Sequence, residues 1–131
     1  MTNQLQAHIL LVEDNKINLM LTKKLVQNLG YTITTAESGQ EALALVEIHS
    51  FDLMLTDIQM PLMNGLELAR NMRELSDERK SSIPIIALTG YAGEEEINEA
   101  LKAGINEVLT KPFGPEAIDL LIKKMIGRQP R

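Results

Sequence analysis

The sequence predicts an α/β protein built on one parallel sheet, and three observations carry that expectation. Apolar runs of strand length alternate about five times with amphipathic helical patterns. The first of these runs, His8-Ile9-Leu10-Leu11-Val12, is apolar without alternation, as in a central strand covered on both faces by helices. The 131 residues, 44% hydrophobic and 24% charged, suit one ordinary domain with a proper core and are too few for two.

Taken in order, the elements follow from local pattern. The first strand ends abruptly at Glu13-Asp14, and from Asn15 the period changes. Ile17, Met20, Leu21, Leu25 and Leu29 lie on one helical stripe, and Gly30 is placed to stop that helix. Tyr31 to Thr35 alternates apolar with β-branched polar residues, which suits an edge strand with one wetter face. Ser38 with Glu41 three residues on reads as a capping box for a helix carrying Ala42, Leu45 and Val46. Leu53-Met54-Leu55 is a short buried run that ends in Thr56-Asp57; residues 58–65 are turn-like, and Leu68, Ala69 and Met72 resume helical spacing. Ile85 to Leu88 stops at Thr89-Gly90, and Ile97, Ala100 and Leu101 mark a helix that ends near Gly104. Val108-Leu109-Thr110 forms the last strand, closed by Lys111-Pro112. Pro115 suits the first turn of a final helix with Ile118, Leu121, Ile122 and Met125, after which the tail from Gly127 to Arg131 is expected to fray.

Composition narrows the function. A net charge of −5, from 13 basic and 18 acidic side chains, lacks the clustered basic excess of a phosphate-tracking surface, so direct nucleic-acid binding is not expected. With no cysteine and only His8 and His49, disulfides, thiolate metal sites and histidine-rich sites are excluded. No apolar run approaches the ~18 residues that span a bilayer, and no basic-then-apolar leader opens the chain, so the expectation is a cytoplasmic domain without membrane contact.

The chemistry collects at the strand ends. In a parallel α/β sheet the ligand crevice lies outside the carboxyl ends of the strands. Those ends supply Glu13 and Asp14, Asp57, Thr89 and Lys111. Singly, each has a bland reading as a helix cap, a strand threonine or a solvated lysine. Jointly, at four strand ends, they are hard to assign to structure alone. Three carboxylates held together repel one another and call for a hard divalent cation, of which Mg²⁺ is the natural candidate. Such a site keeps waters and accepts phosphate oxygens, which suits phosphoryl transfer with Asp57 as nucleophile, Lys111 pairing one phosphoryl oxygen and the Thr89 hydroxyl another.

At these residues the sequence resembles a response-regulator receiver domain, the phosphoacceptor of two-component signalling and phosphorelays. The resemblance covers about residues 7 to 126 of a single domain spanning 1–131. It rests on Ile9-Leu10-Leu11-Val12-Glu13-Asp14-Asn15, on Asp57 to Gly65, on Ala87-Leu88-Thr89-Gly90 and on Lys111-Pro112-Phe113. It implies a flavodoxin-like (βα)5 three-layer sandwich with strand order 2-1-3-4-5, Mg²⁺ held by Glu13, Asp14, Asp57 and the backbone carbonyl of Gln59, and a phosphoryl group received by Asp57 from a protein histidine. It further implies a cis Lys111-Pro112 bond, a switch in which Thr89 moves toward the phosphoryl group, and a domain that promotes its own phosphorylation and dephosphorylation. The donor would be a histidine kinase dimerisation domain or a histidine-phosphotransfer domain, docking on Asn15, Asn18, Leu21, Pro112 and Phe113; for Leu21, core packing is the even alternative.

One position departs from the family pattern. Where an aromatic often stands three residues before the lysine, this chain has Val108; Tyr91, two residues after Thr89, is either a moving part of that loop or simply a loop aromatic. The stretches Glu13 to Asn18 and Asp57 to Pro61 are similar to receivers within hybrid sensor histidine kinases, whose parent proteins can be membrane-anchored; a free-standing regulator is the alternative. An aspartyl-phosphate phosphatase is a further rival, but the second acid such enzymes carry is Gln59 here. A flavin binder would need a Ser/Thr/Gly-rich phosphate cradle and more aromatics. A docking module without phosphorylation leaves the intact acid, threonine and lysine set unexplained.

Overall fold

The computed structural model describes residues 7–127. Five strands alternate with helices: β1 (His8–Val12), α1 (Lys16–Asn28), β2 (Thr32–Ala36), α2 (Gly39–Ile48), β3 (Leu53–Asp57), α3 (Gly65–Arg73), the single turn α4 (Glu78–Ser81), β4 (Ile85–Thr89), α5 (Glu94–Ala103), β5 (Glu107–Thr110) and α6 (Pro115–Gly127). All strand pairings are parallel, in the order β2-β1-β3-β4-β5. This is the flavodoxin-like arrangement that the resemblance implied.

The period of two along each strand splits the core into two layers. Leu10, Val12, Met54, Ile85 and Ala87 face Ala42 and Val46 of α2, Leu68 and Met72 of α3, and Ala100 of α5. Ile9, Leu11, Leu55, Ile86 and Leu88 face Leu19 and Val26 of α1 and Ile118 and Ile122 of α6. Both faces of the central strands are therefore apolar, which is why β1, β3 and β4 read as unbroken hydrophobic runs. β2 is the half-wet edge strand its alternation predicts.

Several elements differ from expectation. On α1 the buried residues are Leu19 and Val26, whereas Ile17, Met20 and Leu21 of the expected stripe are 71%, 69% and 65% exposed. Two apolar stripes share this helix, and the short link from β1 fixes which one meets the sheet; periodicity alone does not. On α5, Ala100 and Ala103 are buried while Ile97 and Leu101 are exposed, since the small residues let the helix approach the sheet. At Ser38 the hydroxyl accepts from Glu41 N–H, but the Glu41 carboxylate turns to Glu37 N–H, so the box is not reciprocal. The closed capping box joins Asn64, inside the stretch read as turn, to Glu67 just beyond it. The α4 turn, too short to show a period, was not foreseen. Gly104 closes α5 in the left-handed region at φ +106°. Gly127 ends α6, and the rest of the expected frayed tail lies outside the described residues.

The link from α3 to β4 and the start of β5 are tied by one side chain. Arg73 donates from Nε and Nη2 to the Gly104 carbonyl at 3.0 and 2.7 Å, from Nη1 to the Ser81 and Ile83 carbonyls at 2.7 Å each, and from Nη2 to Asn106 Oδ1 at 2.9 Å. Asn106 Oδ1 also accepts Ile85 N–H. Burial lowers the Arg73 pKa from its ordinary value.

Candidate functional site

Because β1 and β3 are neighbours in register, with Val12 opposite Thr56, the residues that follow them emerge side by side at the carboxyl edge. β2 lies on one side of β1 and β3 on the other, so this edge is the switch point of the sheet. Glu13 and Asp57 are buried, Asp14 is half-buried, and one carboxylate oxygen from each lies within 4.8 Å of the others. Lys111, leaving β5, places Nζ 3.3 Å from Glu13 Oε1 and 3.3 Å from Asp57 Oδ1. The four expected charged residues are thus brought together.

Backbone donors hold the acids in place. Asn15 N–H donates to Glu13 Oε2 at 3.1 Å and Ile58 N–H to Asp57 Oδ1 at 3.1 Å. Asp57 Oδ1 therefore has two donors, Ile58 N–H and Lys111, while Oδ2 has neither and, since no buried side-chain oxygen among the described residues lacks a partner, opens to solvent. Burial raises the Glu13 pKa, against the Asn15 N–H that lowers it; the Asp57 charge adds to the rise and Lys111 opposes it. An all-oxygen set of three converging carboxylates fits a hard cation such as Mg²⁺.

Thr89, at the end of β4, is buried; its hydroxyl donates to the Tyr91 carbonyl at 3.1 Å and accepts Tyr91 N–H at 3.4 Å. The hydroxyl is engaged with its own loop, and Gln59, Thr89 and Tyr91 line one groove beside the acids. Tyr91 is exposed, and position 108 holds a half-buried valine. The Lys111-Pro112 bond is cis, as the resemblance implied.

Of the expected docking residues, Asn15, Asn18, Leu21 and Pro112 are exposed, and Phe113 is half-buried against the core layer under α1 and α6. The exposure of Leu21 removes its core-packing alternative. Two features of the loop after β3 were missed. Gly65 lies so close to the site that a Cβ there would sit 2.4 Å from the Asp57 carbonyl oxygen and 2.9 Å from Ile58 Cα. Its place in an Asn-Gly pair signalled only a turn. Leu62, 93% exposed at φ +68°, had no sequence signal at all.

Fold and cleft together define a doubly wound α/β domain with an acid and lysine site at its switch point. The chain belongs to the response regulator receiver domain family, whose model matches residues 9–123. It is 36% identical over 120 residues to the sensor protein GacS of Pseudomonas syringae, covering 91% of this chain and 13% of that protein. It is 36% identical over 128 residues to the virulence sensor protein BvgS of Bordetella bronchiseptica, covering 95% of this chain and 10% of that one. The chain thus spans only a small part of the length of these sensors. Against the chemotaxis protein CheY of Pseudomonas aeruginosa the identity is 36%, over 92% of this chain and 96% of that protein. Among solved structures, the receiver domain of a Pseudomonas aeruginosa sensor histidine kinase, with a magnesium ion coordinated in its active site cleft, aligns at a TM-score of 0.85 with 33% identity, covering 93% of this chain and 98% of that one. No helix among the described residues is long and apolar enough to cross a membrane.

Proposed function

We propose that this domain accepts a phosphoryl group from a protein histidine onto Asp57, with Mg²⁺ bound, and that it belongs to a hybrid sensor kinase as a single receiver unit of a phosphorelay. The observation that carries the reading is the asymmetry of Asp57: Oδ1 is held by Ile58 N–H and Lys111, while Oδ2 opens to solvent beside two further acids. The likeness to GacS and BvgS over nearly the whole chain supports the hybrid origin.

In this reading Oδ2 attacks the phosphorus of an N-phosphohistidine, the new P–O bond forms as the P–N bond breaks, and the electron pair returns to the departing imidazole. Glu13, Asp14, Asp57 and the Gln59 carbonyl would hold Mg²⁺, which supplies charge neutralisation for the phosphoryl oxygens. Lys111, already 3.3 Å from both buried acids, transfers part of its pairing to a phosphoryl oxygen. Thr89 must give up its bonds to Tyr91 before its hydroxyl reaches that group, so phosphorylation biases the loop after β4. The domain would work in the cytoplasm, with no nucleic acid as direct partner. Intact-mass spectrometry after incubation with phosphoramidate tests the proposal. One hydroxylamine-labile phosphoryl group on wild type with Mg²⁺, and none on Asp57→Asn, is the expected result; a phosphorylated Asp57→Asn protein would sink the site assignment.

A further inference from the structure

Leu62 combines two unfavourable features at one residue. Its φ of +68° lies in the left-handed region, and Met63 N–H donates to the Pro61 carbonyl at 2.7 Å, which makes Leu62 the centre of a tight, strained γ-turn. Its apolar side chain is also 93% exposed. Asn or Gly would make this turn with less strain and without placing a hydrophobe in water, so the fold is not served by leucine here.

The surroundings hold the side chain out. Met60 is buried, and the Met63 sulfur packs on Gly39 and accepts from Asn71 Nδ2 at 3.7 Å. Gly65 N–H donates to the Ile58 carbonyl at 2.8 Å, and Asn64 is locked by its capping box with Glu67. The loop is therefore tied down on both sides of Leu62, the large apolar side chain it leaves exposed, within a few positions of Asp57. Backbone strain retained in an anchored loop beside a reactive group is a mark of function. Since β1 and β3 pair, the neighbouring loop leads into α1, whose Ile17, Met20 and Leu21 form a second exposed apolar rim. Any macromolecule that delivers a group to Asp57 has to approach over this edge.

We infer that Leu62 is an apolar anchor for the protein phosphodonor, seated in a hydrophobic recess beside the donor's histidine, and that it sets donor affinity while taking no part in the chemistry. This rests on the phosphoacceptor reading above. An apolar recess is the occupant chosen because the side chains offered at this edge, Leu62 and Ile17, Met20 and Leu21 of α1, are large, exposed and uncharged.

The test uses two donors on the intact chain: phosphoramidate, which needs no docking, and a phosphorylated histidine-phosphotransfer domain chosen because it phosphorylates wild type. Leu62→Asn and Leu62→Gly should lower kcat/KM for the protein donor at least tenfold, carried by KM, while Leu62→Met stays within about threefold of wild type. Phosphoramidate labelling should be unchanged in all three, and the Asn and Gly variants should melt no lower than wild type, because both residues tolerate positive φ. Wild-type transfer rates in Leu62→Asn overturn the inference. So does a matching loss with phosphoramidate, which would place the effect in the site itself. A wild-type chain that neither phosphoramidate nor any phosphorylated histidine-phosphotransfer domain can label overturns the phosphoacceptor reading instead, and is distinguished by the failure of both donors.

Discussion

Replacing Arg73 with methionine should be among the most costly single changes outside the core. The guanidinium spends all five N–H groups on the carbonyls of Gly104, Ser81 and Ile83 and on Asn106 Oδ1. Asn106 Oδ1 keeps Ile85 N–H after the change, so three carbonyls lose their charged donor. Methionine retains most of the aliphatic packing of the stem. A hydrogen bond from a charged group contributes about 1.5–3 kcal/mol where water is excluded, but Arg73 is only half-buried and water can recover part of each. About 1 kcal/mol per carbonyl gives a loss near 3 kcal/mol, or a fall in Tm of roughly 10 °C for a domain of this size. With no tryptophan and two tyrosines, far-UV circular dichroism in urea and heat is the suitable readout. Arg73→Lys, with three donors in place of five, should fall between the two. A loss below about 1 kcal/mol for Arg73→Met would refute the claim that this side chain ties α3 to β4 and β5.

Three further outcomes follow from the same geometry. Gly65→Ala drives a Cβ into the backbone of Asp57 and Ile58, which no rotamer relieves, so it should cost about 2 kcal/mol and slow phosphoramidate labelling severalfold; an unchanged labelling rate would uncouple Gly65 from the site. Lys111→Met should reduce phosphoryl acceptance at least tenfold while leaving Mg²⁺ affinity, measured by calorimetry, equal or higher, because it removes the ammonium that pairs with Glu13 and Asp57; loss of Mg²⁺ affinity would contradict the assigned role. For Tyr31, burial and the hydrogen bond to Asp119 at 3.0 Å raise the phenol pKa above its ordinary value. An unfolded tyrosine ionises near pH ~10 and the folded one later, so the stabilisation is present below that pH and is lost as pH rises toward the folded value. Tyr31→Phe should cost about 1 kcal/mol at neutral pH and flatten the alkaline decline seen in urea titrations of wild type; an identical decline in both would remove Tyr31 as its source.

Much of this architecture was legible because it is written in short-range pattern. Leu10 and Leu11 belong to an unbroken run because both faces of β1 are covered, and Glu13, Asp57, Thr89 and Lys111 were found by reading strand ends alone. What was not legible depends on rotation and close approach. Ile17, Met20 and Leu21 have the spacing of a core stripe, yet the link from β1 turns Leu19 and Val26 inward instead. Gly65 matters through an atom it lacks, and Leu62 through a backbone angle that leucine seldom adopts, so neither has a signature in composition or period. Ser38 and Asn64 both offered cap sequences, and only the contacts of Glu41 and Glu67 decide which box closes.

The most direct test of the central claim is to locate the acceptor chemically. After labelling with phosphoramidate and Mg²⁺, borohydride reduces an aspartyl phosphate to homoserine, and peptide mass spectrometry assigns the converted residue. Conversion at Asp57, absent when Mg²⁺ is chelated, is the result the account predicts. Conversion at Asp14 or at any other residue, with Asp57 untouched, would contradict it.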